Sequence, residues 1–366
     1  MPPIAFVAPG PLDARTGGSV YNRRIVEGLR RLGWLVNILE LDPGFPHPTP
    51  AALEHADRAL AGVRAGTITI VDSLAFGAMP EIVRREASRL PVVALVHLPL
   101  AATVGLGRIT AERFEEGERR ALEVATLVIV TGNAALPLVS RYGVPPSRVV
   151  VVEPGTDRVP LAHGFRTRQS DGAAGHEWNR PLELLTVATL NPGKGHEMLL
   201  TALSTVPDPA WRLTCAGSLT RDPATVARTR ERVANLRLED RVSFVGDLDR
   251  AALEACYDRA DVFVLATQQE TYGMAVAEAL AHGLPVVSTM TGEIPELVGA
   301  DAGLLVPVGD TAGFAEALAR VIGNPGLRAR LAEGARRRRD QLPTWDEACR
   351  RMAAALSPLC SVHTCG

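Results

Sequence analysis

The chain has 366 residues, 46% hydrophobic and 22% charged, which accommodates two domains with substantial cores and excludes wholesale disorder. A formal net charge of -2 argues against a dedicated nucleic-acid binder. An aromatic content of 4% leaves little surface for stacking on single strands or long glycans.

The opening MPPIAFVAPG has neither a basic leader nor an apolar run of membrane length, so a cytoplasmic location is expected. Ile4 to Ala8 reads as a buried first strand, and the loop PGPLDARTGGSVYNRR leads into a helix over about Val20 to Arg31. Gly17 and Gly18 fall at that junction. Adjacent glycines let a backbone approach a bulky anion, although a Gly-Gly turn also serves with no ligand. Leu35 to Leu39 predicts a second strand, and Asp42 to Pro50 a proline-rich surface loop. Apolar runs at Ile68 to Val71, Val92 to Val96, Leu127 to Val130 and Val149 to Val152 alternate with helical stretches. Such alternation implies a parallel sheet covered on both faces, with ligands gathered at the carboxyl ends of its strands. His97 follows PVVALV at such an end, as a structural histidine or as a ligand-facing one.

Pro154 to Pro181 breaks the pattern with the polar, glycine-rich GFRTRQSDGAAGHEWNRP, a predicted interdomain linker. Alternation resumes in LELLTVATL, WRLTCAG, VSFVG, DVFVLA, PVVST and LLVPV, a second doubly wound domain. The domain boundaries expected are therefore 1–160, a linker over 161–181, and 182–343, with a closing helix over 344–366 capped near Thr344. The run Arg336 to Arg339 reads as a solvated helix face, or less readily as a basic patch. The five cysteines, Cys215, Cys256, Cys349, Cys360 and Cys365, have no metal-finger or Cys-x-x-Cys spacing and read as structural thiols.

Three segments of the second half carry chemistry. In NPGKGHEMLLTAL, Pro192, Gly193 and Gly195 frame Lys194 at a helix start, where a lysine neutralises a diphosphate or simply caps a surface turn. A Walker A loop is excluded, because Ala188 and Gly195 stand where that pattern needs glycine and Ser or Thr. Gly217-Ser218 and Gly246-Asp247 end two strands and are expected as nucleoside walls at the same sheet edge. Asp249, in Asp247-Leu248-Asp249, reads as the cap of a helix from Arg250 and not as half of a metal-binding pair. Finally, ETYGMAVAEALAHGLPVV turns at Gly273 into an apolar helix from Met274. Free amides at that helix start favour a phosphate, while Glu270 must face hydroxyls. Were the segment wholly helical, Glu270 and Glu278 would stand roughly 12 Å apart, bracketing a diphosphate with a polyol at each end. A sugar nucleotide has that shape.

Together with Gly17-Gly18, RYGVPPSRVVVVEPGTD, Pro192 to Gly195 and the long segment from LEDRVSFVG through GEIPELV, these motifs make the chain resemble a retaining glycosyltransferase of family 4 over nearly its whole length. The resemblance implies an α/β fold of the GT-B kind, two Rossmann-like doubly wound domains whose parallel sheets face a central cleft. It implies that Glu278 binds the nucleotide ribose, Glu270 with the backbone at Gly273 and Met274 the transferred sugar, and Lys194 the diphosphate. Gly18 would lie near the phosphate, and His97 would touch the sugar from the first domain. The implied reaction needs no metal and no cofactor beyond a UDP-, GDP- or ADP-linked sugar donor, and proceeds by front-face substitution. One departure stands out: the arginine usual in the family two residues before Asn191 is Thr189 here, with Arg15 in the glycine loop the nearest candidate for another cation reaching the phosphates. Asp42 to Thr110 would shape the acceptor pocket, and no long amphipathic anchor is evident, which favours a small soluble acceptor over a lipid. Two alternatives keep the donor residues, a nucleotide-sugar sensor without turnover and a sugar nucleotide epimerase. A nicotinamide oxidoreductase lacks its Gly-x-Gly-x-x-Gly.

Overall fold

A computed structural model of the chain describes residues 3–163, 181–206 and 211–361. Most of the expected linker, and Cys365, lie outside the described residues. The chain divides into two compact units, Met1–Gly155 with Pro343–Gly366, and Thr156–Leu342.

The first unit is built on six parallel strands, β1 (Pro3–Pro9), β2 (Leu35–Leu41), β3 (Ile68–Asp72), β4 (Val92–Val96), β5 (Leu127–Val130) and β6 (Val149–Val151), in the order β2-β1-β3-β4-β5-β6. Every residue of β3, β4 and β5 is buried, as continuous apolar runs require of strands covered on both faces. Edge strand β2 is half exposed, with Leu35 at 66%. The first helix starts earlier than its apolar pattern suggests, spanning Gly17–Arg31, because the Thr16 side chain accepts the Ser19 amide at 3.2 Å and caps it.

The closing helix Trp345–Ser361 belongs to this unit and lies on Gly17–Arg31. Thr344 and Glu347 cap it reciprocally: the Thr344 amide donates to Glu347 Oε2 at 2.7 Å, and the Glu347 amide to Thr344 Oγ1 at 3.3 Å. The two helices approach closely at Gly28, where a Cβ would lie 2.0 Å from Cys349 Sγ.

The second unit repeats the plan with β7 (Leu182–Val187), β8 (Trp211–Ala216), β9 (Val242–Gly246), β10 (Val262–Leu265), β11 (Val286–Thr289) and β12 (Gly303–Val306), all parallel. Their order is β12-β11-β10-β7-β8-β9. Trp211, Phe314, Leu184 and Val264 fill one face, and Tyr257, Phe263, Val276 and Leu280 the other. The arginine run is not simply a solvated face. Arg337 is exposed and paired with Asp301 at 2.6 Å, but Arg338 donates to the carbonyls of Leu297 and Glu296, and Arg339 to that of Val159. Those two guanidiniums satisfy carbonyls in the last turn of the short helix Ile294–Val298 and in the loop at Val159. Among the described residues no helix is long and apolar enough to cross a membrane.

Candidate active site

In the second sheet chain order reverses between β7 and β10, and loops leaving the carboxyl ends of such strands open a crevice. After β7 the chain makes one 3-10 turn, Pro192–Lys194, and enters the helix His196–Ser204. Gly195 redirects it at φ 65°, and a Cβ there would lie 1.9 Å from the Ala266 carbonyl oxygen. Only glycine fits so close to the chain leaving β10. That chain is laced to the turn, since the Gln268 amide donates to the Gly193 carbonyl at 2.7 Å and the Thr267 hydroxyl reaches the same oxygen at 3.1 Å. Lys194 Nζ consequently donates to Glu270 Oε1, with the two side chains 27% and 15% exposed. His196, just after the glycine, is buried with neither ring nitrogen hydrogen-bonded. Burial, then the nearby Lys194 charge, push its pKa down to about 4, so it stays neutral beside the lysine.

From Glu270 to Gly273 the backbone is not helical. The wholly helical spacing of Glu270 from Glu278 therefore does not apply. Gly273 instead takes φ 99° and starts the helix Met274–Ala281. The Val276 and Ala277 amides both return to its carbonyl, at 3.0 and 3.1 Å, while those of Met274 and Ala275 have no partner among the described residues. Glu278 sits one turn on, half-buried, with the Tyr257 hydroxyl donating to its Oε2 at 2.9 Å. Burial pushes its carboxyl up to about 7, against the Tyr257 bond, and the nearby Asp157 and Glu254 carboxylates add to the rise.

Gly217 and Gly246 adjoin at the ends of β8 and β9, with the Gly217 amide donating to the Gly246 carbonyl at 2.9 Å. A Cβ on Gly217 would lie 2.1 Å from the Ala188 carbonyl oxygen, so that glycine is also demanded by packing. Asp249 caps the helix Arg250–Arg259, accepting the Ala252 amide at 2.8 Å.

The first sheet reverses between β1 and β3. Here the glycine-led helix brings Asn22 against Asp72 at the end of β3, its Nδ2 donating to Asp72 Oδ2 at 2.6 Å. His97, after β4, places Nε2 3.0 Å from Asn22 Oδ1 and 3.3 Å from Asp72 Oδ2. Two acceptors around Nε2 call for a proton there, and in the neutral imidazole Nδ1 is then the acceptor. Burial works to raise the Asp72 pKa, but the bonds from His97, Asn22 and the Leu74 amide hold it below the ordinary aspartate value. Gly18 packs on the His97 ring, where a Cβ would lie 3.4 Å from Cδ2. Buried Glu118 accepts the amides of Leu100 at 2.5 Å and Ala101 at 3.2 Å, which pins the turn following His97.

Residues 173–338 match the family model for glycosyl transferases group 1. The second unit belongs to that family. A D-inositol 3-phosphate glycosyltransferase of Corynebacterium glutamicum is 29% identical over 265 residues, covering 69% of this chain and 63% of that relative. One of the same description from Salinispora arenicola is 33% identical over 233 residues, covering 60% and 52%. The chain thus spans between half and two thirds of the length of these curated relatives. Sucrose-phosphate synthase from Thermosynechococcus elongatus superposes with a TM-score of 0.81 at 22% identity, over 98% of this chain and 99% of that one. Anabaena HepE in complex with UDP-glucose superposes at 0.74 and 19%, over 98% and 100%. These likenesses establish the GT-B fold.

Within the group 1 domain, Lys194, Glu270, Gly273 and Met274 surround one switch point, whereas Glu278 is set back under Tyr257 and Gly217 and Gly246 belong to the neighbouring strand ends. Gly17, Gly18 and His97 gather in the first unit. Sequence reasoning missed Asn22, Asp72, Glu118, Tyr257 and His196. Only Asp72 had a legible signal, an acid ending an apolar strand.

Proposed function

We propose that the chain is a retaining glycosyltransferase of the family 4 type, moving a hexose or related sugar from a UDP-, GDP- or ADP-linked donor to an acceptor hydroxyl without a metal. The observation that carries this reading is the Lys194–Glu270 pair at the switch point of the group 1 domain, beside the open helix start at Met274. A cation and partnerless amides suit a diphosphate, and a carboxylate one hydrogen bond away suits sugar hydroxyls. Glu278 takes the ribose in this reading, with Gly217 and Gly246 walling the nucleoside. Gly17 and Gly18 accommodate phosphate, and His97 offers Nδ1 to a hydroxyl of the sugar.

In the reaction the bond from the anomeric carbon to the leaving phosphate oxygen breaks and its electron pair stays on the diphosphate. The acceptor oxygen bonds to that carbon from the same face, and its proton passes to the departing phosphate. The protein's contribution is positioning and stabilisation of the developing charge by Lys194 and the Met274 and Ala275 amides. With Thr189 where the family resemblance calls for arginine, Lys194 carries more of that stabilisation, with Arg15 proposed as the second cation. The HepE complex makes UDP-glucose the first donor to assay, and the curated relatives' names make D-inositol 3-phosphate the first small soluble acceptor. A cytoplasmic setting is part of the proposal.

The test is incubation with each donor and an acceptor panel, with the product's anomeric configuration read by NMR. An α-linked product is expected. A β-linked product would rule out retention, donor binding without turnover would indicate a sensor, and change of the donor with no acceptor would indicate an epimerase.

A further inference from the structure

Tyr257 is 2% exposed, and its ring is fixed by stacking on His282 at 4.8 Å and 10° and on Phe263 at 6.2 Å and 22°. Its hydroxyl stands 2.9 Å from Glu278 Oε2 and 3.4 Å from the Ala275 carbonyl, both on the helix Met274–Ala281. The nearer acceptor is also the stronger when ionised. We propose that Tyr257 is a positioning residue of the donor site, its hydroxyl holding the Glu278 carboxylate in the orientation and ionised form that a nucleotide ribose requires. The inference rests on Glu278 being the ribose ligand and deepens that reading.

The chemistry follows from what a vicinal diol offers. Two hydroxyl donors need two acceptor sites on one carboxylate, and a protonated carboxyl would present a donor in their place. With Tyr257 on Oε2, Oε1 is left for the ligand together with the second lone pair of Oε2. Burial drives Glu278 towards the protonated form, with its pKa near 7, and the Tyr257 bond is the foremost influence opposing that. Among the other charged groups facing it, Asp157 and Glu254 raise the pKa further, and Arg250, paired with both at 3.0 Å, offsets part of that rise. His282, stacked on the Tyr257 ring, is kept by burial below the ordinary histidine value.

The experiment is calorimetric titration of the full chain with UDP, GDP and ADP across about pH 5.5 to 9, for the unsubstituted protein, Tyr257→Phe and Glu278→Gln. Affinity of the unsubstituted protein should rise with pH around a midpoint near 7. Comparison with Glu278→Gln separates that carboxylate from the nucleotide's own phosphate titration. Tyr257→Phe keeps the stacked ring and removes the donor. Its midpoint should move up by about one unit, lowering affinity about fivefold at pH 7 and restoring it near the top of the range, with KM affected more than kcat. An unmoved midpoint in Tyr257→Phe, with binding lost in Glu278→Gln, would overturn the inference and leave Glu278 as the ribose ligand. Unchanged affinity and pH dependence in Glu278→Gln would overturn the ribose assignment itself, as would failure of the unsubstituted protein to bind any of the three diphosphates. A readout without substitution is the 13C resonance of Tyr257 Cζ, which should follow the Glu278 titration; a flat response across that range also overturns the inference.

Discussion

At the switch point of the first sheet the polar groups are turned on one another. Asp72 is 3% exposed and is met by Asn22, the Leu74 amide and His97, so its charge is consumed internally. At the switch point of the second sheet Lys194 and Glu270 remain part exposed, and glycines at 195 and 273 bring backbone up to them. Both edges come from doubly wound parallel sheets, so the topology supplies the crevice in each case and the loop residues decide its use. An edge whose charges are already satisfied can orient a neutral ligand but adds little to an ionic transition state. An edge that keeps a cation within reach of solvent can follow charge as it develops on a leaving group.

The strongest way to break this contrast is Lys194→Ala. Loss of one preorganised donor should lower kcat/KM about 10²- to 10³-fold, chiefly in kcat. Steady-state kinetics with the best donor checks it, and an unchanged value removes the lysine from the mechanism and makes the two edges equivalent.

Gly195→Ala tests whether the lysine's placement depends on the backbone beneath it. The substitution imposes φ 65° on an L-residue and drives its Cβ into the Ala266 carbonyl. The cost should be about 2 to 4 kcal/mol in denaturant unfolding, from strain and overpacking together. A cost below about 0.5 kcal/mol would mean the two loops shift freely, and the claim of a rigid lysine mount would fail.

Next in size is Glu278→Gln, read through stability. The folded pKa is raised to about 7 from 4.5, so between those values the native protein holds more protons than the unfolded chain. Stability contributed at this site therefore falls as pH rises from about 4.5 to 7 and stays low above. The glutamine variant should be more stable than the unsubstituted protein at about pH 8, on the order of 3 kcal/mol, with the gain vanishing near pH 4. Calorimetric melting at both values checks this. A residue that destabilises its own fold at working pH is accounted for by a ligand.

How much of this was legible depended on the range over which the physics acts. Apolar runs such as Val92 to Val96 and Leu127 to Val130 announced buried strands because burial on both faces is a local property of the strand. The Thr344–Glu347 cap could be placed near Thr344 for the same reason. The start of the first helix was missed because glycines ordinarily disfavour helices, and the Thr16 cap that overrides them is a single side chain. In the site, Lys194, Glu270 and Gly273 were legible through turn chemistry at strand ends. Tyr257 was not, since it meets Glu278 21 positions away, across a whole strand. Nor was the pairing of Asn22 with Asp72, 50 positions apart, whose bond exists only once β1 and β3 lie side by side. Arg338 and Arg339 misled for a related reason: carbonyls that need donors leave no mark in the sequence.

The smallest expected effect gives the sharpest test of the first edge. Gly18 lies in the first turn of its helix without positive φ, and a Cβ would make ordinary contact with the His97 ring at 3.4 Å. Nothing in the fold therefore demands glycine there. Alanine should raise stability by about 0.4 to 1 kcal/mol, because it restricts the unfolded chain and favours the helix. If Gly18 is present to let a phosphate approach the backbone, the same change must weaken donor binding while stabilising the protein. Opposite signs in melting temperature and nucleotide affinity are expected, and only a ligand requirement produces them. Should both rise or stay level, the glycine pair serves the turn alone, and the first edge loses its claim on the donor while the second keeps its own.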